Sequence, residues 1–191
     1  MDLVSDRAAL DAHFSRMQPP PAENHLALLE KVWNVALADG DTSLVEIRVF
    51  DLVGERLGIH KAQLAVLRKG WTYEAMERSE IIAGFVANLL HRGGPPTDED
   101  RAEYEALLAR LPLSAARRER VSAAIDTPPV LEVVATPLRR LSRERQMDVL
   151  RTICHEILRL RRRGDARALM VELVEAGGIP GSVVGDLRGL A

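Results

Sequence analysis

Three carboxylates fall within eight residues in the run Ala38-Asp39-Gly40-Asp41-Thr42-Ser43-Leu44-Val45-Glu46. Oxygen donors so close together suit a hard cation such as Ca²⁺ or Mg²⁺, which makes Asp39, Asp41 and Glu46 the candidate metal ligands. The same acids also have a plainer use. Asp-Gly makes turns, a helix start attracts carboxylates through its partial positive charge, and Ser43 and Glu46 stand in the S-x-x-E relation of a capping box. The ligand spacing of an EF-hand loop is absent. Cys154-His155-Glu156 sets a thiol, an imidazole and a carboxylate side by side. Neighbouring helical residues point about 100° apart, so this trio cannot by itself align a nucleophile with a base, and no catalytic residue is assigned. His13, His25, His60 and His91 lack zinc-binding spacing. The strongest charge feature is arginine: Arg139, Arg140, Arg143 and Arg145, then Arg159 and Arg161 to Arg163. On a continuous helix Arg159 and Arg163 share a face, and with Arg162 they are the candidate partner-binding residues for an acidic protein. The competing account is a helix end, where cations complement the dipole.

Helices must position these groups. Leu28, Val32, Val35 and Ala36 have the spacing of a buried helical face, and the Asp-Gly turn closes that segment. A capped helix then buries Val49, Phe50, Val53 and Leu57, with Gly58 as its stop. The pattern predicts helices over residues 6–17, 22–38, 43–57, 60–69, 72–91, 97–110, 114–125, 142–163, 166–175 and 181–190. Gly70 divides the fourth from the fifth, and Thr72 caps the fifth. Ile81, Ile82, Phe85, Val86, Leu89 and Leu90 form its apolar face. Residues 130–134 fit strand or helix equally and are assigned helix because their surroundings are helical. The expected fold is all-α, a compact bundle of about eight or nine helices in a single domain over 1–191.

Composition narrows the function classes. With 47% hydrophobic residues the chain can build a proper core, and its net charge of −2 does not suggest a nucleic-acid-binding surface. That average hides an asymmetry: residues 1–100 carry 10 basic and 16 acidic side chains, net −6, and residues 101–191 carry 16 and 12, net +4. The single cysteine rules out an intramolecular disulfide. No long uncharged apolar run or signal-like start is visible, and the expectation is a cytoplasmic protein without membrane insertion.

The helix stops suggest a repeat. A shift of 54 sets Leu28 on Ile82, Val32 on Val86, Phe50 on Tyr104, Val53 on Leu107 and Leu57 on Leu111, and sets the cap pair Ser43 and Glu46 on Thr97 and Asp100. A shift of 120 sets Phe50 on Met170, Gly58 on Gly178 and Ile59 on Ile179. The expected units are 22–70, 73–126 and 142–191. The acids do not repeat, since Asp39 and Asp41 fall on Gly93 and Pro95.

A helix, Ala-Asp-Gly-Asp, a capped helix with an early glutamate, Leu-Gly-Ile and another amphipathic helix together resemble the TerB-like family of tellurite-resistance proteins over residues 26–67. The resemblance implies a small helical bundle with acidic residues near a helix start that bind metal cations, and an association with stress resistance. Asp39, Asp41 and Glu46 are the residues it carries over. The resulting expectation is a non-enzymatic module, responsive to a divalent cation, that acts through a protein partner or self-association. The alternatives are a structural adaptor without ligand, or a bundle holding a small apolar molecule in an enclosed cavity near Trp33, Phe50, Phe85 or Cys154.

Overall fold

The structure, a computed structural model, describes Ala12, Ser15, Arg16 and residues 18–38, 40–161 and 163–180. These residues form an all-α protein with eight α-helices and no strand. The helices are α1 (His25–Ala36), α2 (Leu44–Arg56), α3 (Lys61–His91), α4 (Asp98–Arg110), α5 (Ala115–Ser122), α6 (Leu131–Arg140), α7 (Arg143–Arg159) and α8 (Ala166–Ala176). Short 3₁₀ turns precede α1 and follow α5. No described helix is long and apolar enough to cross a membrane. The helices expected over 6–17 and 181–190 lie outside the described residues, apart from Ala12, Ser15 and Arg16.

The chain divides into two compact units, Met1–Glu74 and Ala75–Ala191, and the division falls within α3. In the first unit α1 packs on α2 around Leu29, Trp33, Leu37, Phe50 and Leu64, all buried. The buried stripe is therefore Leu29, Trp33 and, at the end of α1, Leu37, one position on from the expected Leu28, Val32 and Ala36. Val35 is 77% exposed, and Leu28 and Val32 are only partly covered. Trp33 explains the offset. A helix turns about 100° per residue, so burying the largest ring carries Val35 outward. Phe50 meets the Trp33 ring edge-on at 5.0 Å and the Trp71 ring at 6.1 Å.

α3 runs unbroken through Gly70, contrary to the expected pair of helices. One exposed helical glycine costs only about 1 kcal/mol relative to alanine, too little to end a helix whose flanking turns are anchored. Leu64 anchors the turn before it by burial. Thr72, expected as a cap, instead accepts a 2.9 Å hydrogen bond from Trp33 Nε1.

The second unit closes around the remaining part of α3, α4, and α6 to α8. All six apolar residues expected on that face of α3 are buried, from Ile81 to Leu90. Tyr104 of α4 is fully buried and donates its hydroxyl to the Val121 carbonyl at 3.0 Å. Of residues 130–134, assigned helix, 131–134 are helical and Val130 is the extended N-cap; the helix continues to Arg140 through Pro137. α7 is shorter than expected. It stops at Arg159 because Leu160 leaves helical geometry (φ −75°, ψ 143°) to bury its side chain.

Candidate functional site

Ser43 and Glu46 form the reciprocal cap that the sequence predicted. The Ser43 N–H donates to Glu46 Oε2 at 2.7 Å, and the Ser43 hydroxyl accepts from the Glu46 N–H at 3.2 Å. The backbone bond from Ser43, and then its hydroxyl, hold the Glu46 carboxyl below the usual carboxylate range. A cation at this turn would have to share Glu46 with the helix cap. Asp41 is exposed, and Asp39 lies outside the described residues. Among the described residues no group of three or more His, Cys, Asp or Glu side chains is placed to hold a metal ion.

α2 begins with apolar side chains in water: Leu44 is 85% exposed and Val45 beside it is 51% exposed. Leu44 opens onto an open cavity of about 510 Å³ along one stripe of α2, with Ile47 and Leu52 as apolar wall and Arg48, Asp51, Glu55 and Lys61 as charged rim. Asp51 is tied down from the other side, because it pairs with Arg68, both about four-fifths buried. The Arg68 guanidinium stands 5.9 Å from the Trp33 ring centre and 5.8 Å from that of Phe50. This ring-and-ion cluster escaped the sequence reading. Its members come from α1, α2 and α3, and no local spacing in the sequence joins them.

The candidate arginines have separate fates. Arg159 pairs with Glu156 at 2.8 Å. Arg163 lies beyond the end of α7, so the two do not share a helix face. Its guanidinium donates to the Leu160 carbonyl at 2.8 Å and the Leu158 carbonyl at 2.5 Å, at the helix end. Arg162 lies outside the described residues. Arg161 pairs with Glu99 and Glu103 of α4.

Cys154, His155 and Glu156 point apart, as the helical spacing required. Cys154 packs against the core, where burial pushes its thiol pKa up and disfavours the thiolate. His155 is exposed, while Glu156 is buried and binds Arg110 at 2.5 Å as well as Arg159.

The second unit carries an apolar cleft that the sequence reading did not find. It is half-open, about 550 Å³, and lies among α3, the end of α5 and α6. Its floor is Ile81 and Gly84. A Cβ at Gly84 would sit 3.0 Å from Val134 Cγ2 and 3.4 Å from Pro129 Cγ, so glycine allows α6 and the preceding loop to lie this close to α3. Two α3 side chains hold that loop. Asn88 Nδ2 donates to the Gly84 and Pro129 carbonyls, both at 2.8 Å, and His91 Nε2 bonds the Ile125 carbonyl at 2.7 Å. At the rim, Arg117 and Arg120 converge on Glu80 Oε1 at 3.1 and 2.7 Å. The expected enclosed cavity at Trp33, Phe50, Phe85 or Cys154 is not where this cleft lies; Trp33, Phe50 and Phe85 are packed in the cores.

Among the described residues, fold and surface give an all-helical protein with filled cores and open, partly apolar depressions in each unit. Comparison with family models, with curated proteins and with solved structures gives no significant match.

Proposed function

We propose that the protein is a non-enzymatic helical interaction module whose first unit offers a docking surface to a protein partner. The observation that carries this reading is Leu44, a large aliphatic side chain 85% exposed on the first turn of a firmly capped helix and opening onto a half-apolar depression. Covering such a side chain contributes about 1.5–3 kcal/mol, enough to anchor a contact. Basic Arg48 and Lys61 and acidic Asp51 and Glu55 around it suit a partner helix that carries charges of both signs beside an apolar residue. The resemblance of residues 26–67 to TerB-like proteins supplies the proposed setting, a cytoplasmic stress response. It also supplies the proposed regulator, Ca²⁺ or Mg²⁺ held by Asp39, Asp41 and Glu46.

A photo-crosslinking residue in place of Leu44, expressed in the native host, should give a discrete heavier adduct that the same residue at exposed Lys31 does not. No adduct, or equal adducts at both positions, would overturn the reading. Calorimetric titration with Ca²⁺, Mg²⁺ and Mn²⁺ tests the cation part separately. Heat should be seen and should vanish in the Asp39→Asn, Asp41→Asn double variant; absent or unchanged heat removes the cation.

The charge asymmetry favours a second reading, a structural adaptor that associates with itself. Light scattering would then show a mass that falls as salt rises. A constant monomer mass removes that reading.

A further inference from the structure

We infer that the cleft of the second unit is a docking groove for an amphipathic helix whose apolar face is flanked by acidic residues. About 550 Å³ lies within the range of roughly 300–1,000 Å³ that also serves small ligands, so volume does not decide the occupant. The rim decides it. Val133, 59% exposed, and Pro137 follow at i and i+4 along α6 on the lining of the cleft, and Val130, the residue that caps α6, is 65% exposed, so apolar surface continues beyond the cleft. A small molecule sunk in the cleft leaves that ridge in water, whereas a helix laid along it covers ridge and cleft together.

Charge then selects the kind of helix. The charged residues lining the rim where α3 faces α5 are Arg120 and Glu80, and Arg117 beside them also pairs with Glu80. Arg120 is 67% exposed and pairs with Glu80 through Nη2. A guanidinium presents a fork of donors, and a carboxylate on the incoming helix can take the outward side of that fork while Glu80 holds the inward side. A basic residue at the same place would meet two arginines. The cleft is also prebuilt: Gly84 sets the approach of α6, and Asn88 and His91 tie the intervening loop to α3. Docking therefore does not require this wall to be ordered first.

The test is selection of helical peptides from a randomised phage-displayed library against the full chain. Large apolar residues at i, i+4 and i+7 with Asp or Glu on one flank should be enriched. The resynthesised peptide should bind wild type, lose about tenfold in affinity on Arg120→Glu and recover it when its own flanking acid is changed to lysine. Val133→Asp, at an exposed position, should melt like wild type and abolish binding. Enrichment of basic flanks, binding unaffected by Val133→Asp, or no helical sequence enriched would each overturn the inference. Leu44→Glu should leave this binding unchanged, so failure here is distinct from failure of the first-unit surface.

Discussion

Glu46 and Tyr104 are side chains whose surroundings move their protonation in opposite senses. The depressed Glu46 carboxyl contributes stability that is present above the ordinary glutamate range and is lost as pH falls through its lowered value. Glu46→Gln should therefore destabilise the chain at neutral pH, and the difference from wild type should close in acid; an unfolding series from pH 7 to about pH 2 checks it. Tyr104 is raised, first by burial and then by Glu105. Its contribution is whole below the unfolded value near pH 10 and is lost as pH rises toward the folded value. Tyr104→Phe should cost about 1 kcal/mol at neutral pH, the hydrogen bond to Val121, and should reduce the loss of stability above about pH 10. Both roles differ in how far the sequence shows them. The cap is legible because it is local, complete within four residues. Tyr104's partner, 17 residues away, is not.

Helices here are set by devices at their ends and by contact between neighbours. The same Ser/Thr and acid box opens α2 and α4, which bears out the coincidence of Ser43 and Glu46 with Thr97 and Asp100. A second device recurs at Gly58 and Gly178, both with positive φ. The Ile59 and Ile179 N–H groups reach back to the Gly54 and Val174 carbonyls, closing α2 and α8 in the same manner. Two glycines inside helices should behave oppositely. A Cβ at Gly54 would lie 2.3 Å from Cδ2 of the fully buried Leu64, so Gly54→Ala should destabilise by about 1–3 kcal/mol. Gly70 meets nothing within 4 Å on an exposed stretch of α3, so Gly70→Ala should stabilise by about 1 kcal/mol. Denaturant titration of both variants reads the contrast. Reading Gly70 as a break took a weak local preference for a boundary, and the anchoring of α3 outweighs it.

At the scale of the whole chain, the cores of the two units are distinct. Removing Phe50, the ring that meets both tryptophans, should cost about 3–5 kcal/mol and lower the melting of the first unit. Leu150→Ala should act on the second. Differential scanning calorimetry should show two transitions, each answering to one substitution; a single transition lowered by both would mean that the units unfold as one. Alternating charge and hydrophobicity at helical period, with proline, glycine and cap residues at the joints, determined the all-α class, most helix boundaries and the burial of Ile81 to Leu90. Those properties reside in neighbouring residues and need no tertiary partner. Tertiary structure alone decided that Leu29, Trp33 and Leu37 face inward, that Arg68 meets two aromatic rings, that Glu156 is buried between arginines, and that an apolar cleft opens above Gly84. The rotation of a helix about its own axis and the space left between helices depend on distant side chains competing for the same volume, and no window of sequence contains both competitors.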